Sequence, residues 1–172
     1  MSIMVRFFVM LAGAMLLWAG AGGAYANSGN VQQLSGTLSV KKPDGSVRIL
    51  SQKSQIQSGD TLNTQKDSYA QIKFADGAQI TLKPNTSVKI ERFNFVESEP
   101  RNDGFFYSLV KGGLRAVTGL VGKRGDPEAY KLGTETATIG IRGTSFGADD
   151  CTGPPAVEGP CKGLEPAVYV SV

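Results

Sequence analysis

The stretch FADGAQITLKPNTSVKI, Phe74 to Ile90, places apolar residues at alternate positions on both sides of a single Asp-Gly pair. Such alternation is typical of β-strands that bury one face. The apolar residues that face one core in this pattern all lie at even positions: Ile72, Phe74, Ile80, Leu82, Val88 and Ile90. The stretch therefore predicts short antiparallel strands packed on a common core.

The length of the loop at Asp76-Gly77 decides which side chains lie opposite each other. A two-residue loop would place Phe74 opposite Gln79, an apolar side chain against a polar one. A three-residue loop places Phe74 opposite Ala78 instead and ends in Gly77, which readily adopts the positive φ that such loops need. We therefore interpret Asp76 as a turn residue rather than a catalytic carboxylate, and expect Asn to serve equally well there.

The same alternation predicts where the strands begin and end. Strands are expected near Tyr69–Phe74 and Gln79–Leu82. Phe93 and Phe95 fall at odd positions, so the pattern shifts by one residue near Arg92. A β-bulge or a strand end is predicted there.

A second hairpin is predicted at PDG, Pro43–Gly45. A two-residue loop made of Asp44 and Gly45 would pair Val40 with Ile49 on one face. The rest of the chain consists of short apolar runs separated by Gly, Pro, Asn and Asp, without a convincing amphipathic helix. The pattern predicts an all-β protein.

Residues 1–26 have the composition of a secretory signal peptide. Arg6 precedes an apolar run that ends in small residues, and AYA ahead of Asn27 fits an A-x-A cleavage site. An uncleaved membrane anchor is the alternative, which the small-residue ending disfavours. We expect one domain over residues 27–172, periplasmic or secreted, with no membrane association after cleavage.

Cys151 and Cys161 are the two cysteines of the chain. Export places them in a compartment that permits oxidation, and the short loop between them is rich in Pro and Gly. We predict a disulfide, which would disfavour the unfolded chain by about 3 kcal/mol on the chain-entropy model. A zinc site is the poorer alternative because the sequence has no His, and we expect neither a metal nor another cofactor.

Charge and composition argue against several function classes. Of 18 basic residues one, Arg6, lies in the signal peptide, so the mature chain carries 17 against 15 acidic residues, a net charge of +2. The basic residues are scattered singly, whereas nucleic-acid binding needs them on one face. Without His, the Ser-His-Asp, Cys-His and HExxH sites are excluded. A glycosidase-like pair of carboxylates remains the catalytic alternative, and we expect no enzyme.

Four ordered pieces of the sequence resemble one family. They are GDTLNT from Gly59, SYAQIKFADGAQITLKPNTSVKI from Ser68, LVKGGLRAVTG from Leu109 and TATIGIRGTSF from Thr136. In this order they resemble the FecR domain, the periplasmic sensing domain of iron-uptake regulators that also occurs alone or in larger exported proteins. The positions of this sequence that match the family motifs are Gly59, Asp60, Asp76, Gly77, Arg142, Gly143 and Thr144.

The resemblance implies an exported, non-enzymatic interaction domain with an all-β fold, a roll or solenoid of short stacked strands, or alternatively a β-sandwich. No segment precedes the apolar run that could hold the sigma-factor-binding part of the regulators, so an anti-sigma activity is not implied. The ending AVYVSV resembles the first half of a strand pair, and the family usually continues through a further turn and strand. A truncation at Val172 is left open.

Two charged motifs have a structural and a functional interpretation. Arg142 stands among small and β-branched residues, where a long cation is costly without carboxylate or carbonyl partners. Gly140 and Gly143 favour a buried organiser at a strand bend over a recognition residue. The RGD triplet that begins at Arg124 is interpreted as a charged turn rather than an adhesive ligand.

We expect a non-catalytic envelope module for interaction or sensing, whose partner is an envelope protein bound by sheet-edge addition or on an exposed face. A small-molecule ligand is not identified. The alternative function is a carbohydrate-binding module, which needs exposed aromatic side chains. The single Trp lies in the signal peptide, and the tyrosines that could replace it are Tyr69, Tyr107, Tyr130 and Tyr169.

Overall fold

The protein is an all-β roll, as predicted, in a computed structural model that describes residues 29–143, 145–153 and 161–172. The predicted signal peptide, the cleavage site before Asn27 and the motif residue Thr144 lie outside the described residues. Within the described ranges the chain forms thirteen strands and one short 3-10 turn, Pro100–Asn102. The strands are β1 Gly29–Ser35, β2 Leu38–Lys41, β3 Val47–Leu50, β4 Gln55–Ile56, β5 Thr61–Thr64, β6 Tyr69–Phe74, β7 Gln79–Leu82, β8 Ser87–Asn94, β9 Gly104–Val117, β10 Tyr130–Gly133, β11 Thr138–Gly140, β12 Ser145–Asp150 and β13 Val168–Ser171.

The long strand β9 joins two halves of one curled sheet. Its first part pairs with β8 and β10, and its second part pairs with β7 and β12. One half runs β3-β2-β5-β8-β9-β10-β11, and the other runs β4-β1-β6-β7-β9-β12-β13. Every pair is antiparallel except β9 with β10. The inner faces of the two halves enclose a single core.

Strand β9 changes partners at Gly112 and Gly113. The Thr86 hydroxyl donates a hydrogen bond to the Gly113 carbonyl and accepts one from the Gly113 N–H, both at 2.9 Å. These bonds satisfy backbone groups of β9 at the point where the strand leaves β8 for β7. A buried threonine therefore holds the corner of the roll.

The hairpin between β6 and β7 has the predicted bounds and register. Ile72 lies opposite Ile80, and the Phe74 N–H donates to the Ala78 carbonyl at 2.9 Å, so the loop contains three residues. Its third residue, Gly77, has a φ of 86°. The loop length derived from the alternation is confirmed.

The predicted core and the predicted irregularity are confirmed as well. The register between β8 and β9 shifts between Ile90 and Arg92, where the alternation breaks. The six side chains that the alternation assigns to one core are all buried: Ile72, Phe74, Ile80, Leu82, Val88 and Ile90.

The hairpin at Pro43–Gly45 differs from the prediction. Val40 lies opposite Arg48 rather than Ile49, so the loop contains three residues and not two. The physical reason is that β3 pairs with β2 alone within the described residues and lies at an edge. Its apolar side chains need no buried partners, so apolar matching does not determine this register.

Aromatic rings fill the centre of the core. The Phe74 ring, from one half of the sheet, lies 4.5 Å from the Phe105 ring of the other half, centroid to centroid. Tyr107 and Tyr130 are fully buried, and their hydroxyl oxygens are 3.2 Å apart. Each hydroxyl therefore has a partner inside an apolar core, as burial requires.

Candidate functional site

The motif residue Asp60 is buried immediately before β5, behind Gly59. Both of its carboxylate oxygens lie 2.9 Å from Lys42 Nζ, and one accepts the Gln57 backbone N–H at 2.9 Å. The Asp60 carbonyl accepts the Ile90 N–H at 2.8 Å. A buried carboxylate needs such partners. Asp60 thus ties the β2–β3 hairpin to β5 and β8.

Asp76 lies in the predicted turn, but its side chain is only 3% exposed. One carboxylate oxygen accepts the Ala78 N–H at 3.0 Å, and the other accepts the Val121 N–H at 3.3 Å. The Asp76 carbonyl accepts the Leu120 N–H at 2.9 Å. Burial raises the pKa of Asp76, and the hydrogen bonds from Ala78 and Val121 oppose that shift. The turn residue also anchors the loop that follows β9.

Arg142 is exposed, so the prediction of a buried organiser is wrong. Its side chain is 70% exposed, and a guanidinium nitrogen lies 3.1 Å from Glu128 Oε1, which is also exposed. The preceding Ile141 is buried, and in an extended chain the next side chain points the other way. The carbonyl of Gly143 accepts a hydrogen bond from the Thr118 hydroxyl at 2.6 Å.

Arg124 of the RGD triplet makes an interaction network that the sequence did not reveal. Its Nε lies 3.0 Å from the buried carboxylate of Asp103. Its terminal nitrogens donate to the carbonyls of Glu97 and Val96 at 2.8 and 3.0 Å, and its guanidinium carbon lies 4.8 Å from the Phe95 ring centroid. These partners are more than twenty residues away in the chain, so no local pattern indicates them. The guanidinium thus attaches the loop after β9 to the segment between β8 and β9.

The predicted disulfide between Cys151 and Cys161 is confirmed. Their Cα atoms are 5.3 Å apart, within the range that a disulfide spans. The bridge joins the end of β12 to the segment that leads into β13. The residues 154–160 between them lie outside the described part of the chain.

The described carboxylates are spread over separate contacts. In the part of the chain that the structure describes, no group of three or more Asp, Glu or Cys side chains could hold a metal ion. The sequence neighbours Asp149 and Asp150 have separate partners, Lys83 Nζ at 2.7 Å and the Thr152 hydroxyl at 2.6 Å. The described helices include none long and apolar enough to cross a membrane.

Strand β3 presents exposed apolar side chains at an edge of the sheet. Val47 and Ile49 are 65% and 67% exposed. The Lys42 N–H donates to the Ser46 carbonyl at 2.8 Å, and hydrogen-bonded pairs alternate in an antiparallel ladder. The backbone groups of Arg48 therefore face β2, whereas those of Val47 and Ile49 face the free edge.

Residues 60–158 match the family model described as FecR protein, which covers more than half of the chain. The chain belongs to the FecR protein family. Three of the motif sites lie within the match: Asp60, the Asp76-Gly77 turn, and Arg142 with Gly143. In this FecR domain the two motif aspartates are buried structural groups and the motif arginine is on the surface. Family membership and the disulfide are consistent with an envelope or extracellular location.

A solved structure described as a cell surface anchoring domain is similar to part of the FecR-family chain. The similarity covers 37% of this chain and 83% of the other, with 25% identity and a TM-score of 0.36, which is too low to establish a shared fold. No curated protein matches the chain. The edge strand β3 lies before the first residue of the FecR match, so the match itself assigns it no role.

Two of the four tyrosines that could serve a carbohydrate-binding FecR protein are inaccessible. Tyr107 and Tyr130 are buried in the core, where burial raises the pKa of both hydroxyls. Tyr169 is half-buried, and its hydroxyl donates to the Glu165 carbonyl at 3.0 Å. Tyr69, on β6, is 51% exposed. A sugar site would therefore have to be built around Tyr69.

Proposed function

We propose that this FecR-family protein is a non-catalytic interaction module of the cell envelope that binds a partner protein by strand addition to β3. The observation that carries the proposal is the free edge of β3, with outward backbone groups at Val47 and Ile49 and both side chains exposed. An unpaired edge of this kind is a template for an incoming strand. Arg48 puts one charge on this short edge, which is a common form of edge protection, but the side chains on either side of it are apolar and exposed.

The chemistry of β3 defines the segment that would bind. Main-chain hydrogen bonds to Val47 and Ile49 would provide affinity, and their side chains would contact apolar side chains at alternate positions of the partner. Arg48, between them, is exposed and forms no ion pair within the described residues. Its charge favours an acidic side chain in the partner. The expected partner is an extended segment of an envelope protein with alternating apolar residues and at least one acid.

The proposal is tested by site-specific photo-cross-linking of the mature protein in intact cells. A photoreactive phenylalanine analogue replaces Val47, and in a control protein it replaces the exposed Lys73 on β6. We expect a discrete adduct with one envelope protein from position 47 and none from position 73.

A second substitution separates strand addition from other modes of binding. Ile49→Pro removes a backbone N–H that faces the free edge, which an edge strand tolerates, and leaves the bonds to β2 in place. We expect Ile49→Pro to abolish the adduct at position 47 while the melting temperature changes little. An adduct that persists in the Ile49→Pro protein, or the absence of any adduct at position 47, would overturn strand addition.

A further inference from the structure

A second surface lies on the other half of the sheet, away from β3. A shallow groove of about 470 Å³ crosses the outer face of β1, β6 and β7. Its lining side chains are all uncharged, and most carry a hydroxyl or an amide: Gln33, Ser35, Gln52, Tyr69, Gln71 and Thr81. The volume is in the range of small-ligand sites.

Strand register explains why these side chains lie together. Gln71 lies opposite Gln33 on β1 and opposite Thr81 on β7, so the three form one row across the sheet. Tyr69 lies opposite Ser35 in the adjacent row. All of these side chains are on the outer face, because the even-numbered neighbours on β6 and β7 point into the core.

The groove combines one exposed ring with amides on both sides. An aromatic ring offers an apolar face, and a glutamine amide offers both a donor and an acceptor. The side-chain nitrogen of Gln71, Nε2, donates a hydrogen bond to Gln79 Oε1 at 3.0 Å. This bond orients the side-chain amide of Gln71, so that its oxygen, Oε1, can accept a hydrogen bond from a ligand. A sugar ring has the complementary chemistry, since it presents an apolar C–H face and a rim of hydroxyl groups.

The charges in and around the groove indicate whether a neutral or an acidic ligand would bind there. Lys83, just beyond the end of β7, has its Nζ 2.7 and 2.9 Å from the two carboxylate oxygens of Asp149. Its charge is therefore balanced within the protein. Arg115 on β9 lies opposite Thr81, and Lys73 is exposed on β6, but neither lines the groove, so an acidic sugar or a phosphate would find no counter-ion among the lining side chains. We propose that this groove binds a neutral oligosaccharide that stacks on Tyr69 and bonds to Gln33 and Gln71.

The proposal is tested by native electrophoresis of the mature protein in gels that contain a soluble polysaccharide. The neutral probes are β-glucan, galactomannan and hydroxyethyl cellulose, and the acidic probe is alginate. We expect at least one neutral probe to retard the protein. Tyr69→Ala should weaken that binding at least about tenfold, as truncation of a central aromatic contact does, and Tyr69→Phe should retain most of it.

Two controls separate this site from unspecific retardation and from the β3 edge. Tyr169→Ala changes a tyrosine outside the groove, and Ile49→Pro changes only the β3 edge. Both variants should bind the neutral probe as the wild type does. Retardation by no neutral probe, retardation by alginate alone, or retardation that Tyr69→Ala leaves unchanged would overturn the proposal.

Discussion

The backbone N–H of Val121 donates a 3.3 Å hydrogen bond to the buried carboxylate of Asp76, across 45 residues of chain. The bond connects the turn between β6 and β7 to the loop after β9. Gly119 lies so close to this carboxylate that an added Cβ would clash with Asp76 Oδ2. One turn residue thus organises two loops at the same end of the roll.

Replacement of Asp76 by Asn should therefore not be silent, contrary to what the turn pattern alone predicts. The carboxylate accepts from two backbone N–H groups, whereas an amide has one acceptor and would turn its NH₂ toward the other N–H. We expect Asp76→Asn to lower the free energy of unfolding by about 1–3 kcal/mol, the cost of an unsatisfied buried group. Urea unfolding followed by circular dichroism measures it. Asp126→Asn is the matched control, because Asp126 is exposed and its carboxylate accepts a single backbone bond, from Glu128.

The ionisation of Asp76 should make its contribution to stability fall as pH rises. Burial raises the pKa above its ordinary value of 3.8, so the folded protein retains a proton that the unfolded chain has released. The contribution is greatest below pH 3.8 and decreases through the raised folded pKa. A carbon NMR titration of the side-chain carboxyl should give a midpoint above 3.8, and the stability difference from Asp76→Asn should shrink over the same window. A midpoint below 3.8 would show that the two backbone hydrogen bonds outweigh burial.

The positive φ of Gly77 should make this position intolerant of β-branched side chains. Gly77 has a φ of 86°, and an added Cβ would meet no atom within 4 Å, so strain arises from the backbone alone. We expect Gly77→Val to lower the free energy of unfolding by about 1–3 kcal/mol. Gly77→Asn should cost clearly less because Asn tolerates the left-handed conformation. Equal losses for the two variants in urea unfolding would contradict the backbone explanation.

The regular part of the fold was predictable where one face of a strand must pack against the core. Ile72 and Ile80 must both face the core, so a shift of one residue is excluded and the loop length follows. Val47 and Ile49 are under no such constraint at an edge, and the hairpin of Val40 was predicted one residue out of register. Alternation identifies a strand, but it does not show which strand becomes an edge.

The candidate sites were predictable only in part, because their partners are distant in sequence. The burial of Asp76 depends on Val121, and the burial of Asp103 on Arg124; neither pairing has a local signal. Arg142 was assigned a buried role from its apolar surroundings, but the structure buries the preceding Ile141 and leaves Arg142 exposed. The amide groove around Tyr69 depends on the pairing of β1 with β6, which the alternation alone did not assign.

The disulfide should contribute to stability under oxidising conditions only. We expect the double variant Cys151→Ser/Cys161→Ser to be less stable than the wild type by about 3 kcal/mol, the loop-closure value for a short loop. A thiol reductant should lower the melting temperature of the wild type and leave that of the variant unchanged. Labelling of two free thiols in the exported, non-reduced protein would show that the bridge is absent.

Arg124 and Arg142 form a matched pair that separates the donor geometry of a guanidinium from its charge. The guanidinium of Arg124 bonds the Asp103 carboxylate and two backbone carbonyls in different directions, whereas Arg142 has an exposed contact with Glu128. Lysine keeps the charge but cannot reproduce the fork of donors. We expect Arg124→Lys to cost about 1–3 kcal/mol in urea unfolding, because carbonyls and a buried carboxylate lose partners, and Arg142→Lys to stay within about 0.5 kcal/mol of the wild type. Similar losses for the two variants would mean that Arg124 acts through its charge alone, and that the segment between β8 and β9 is held by other contacts.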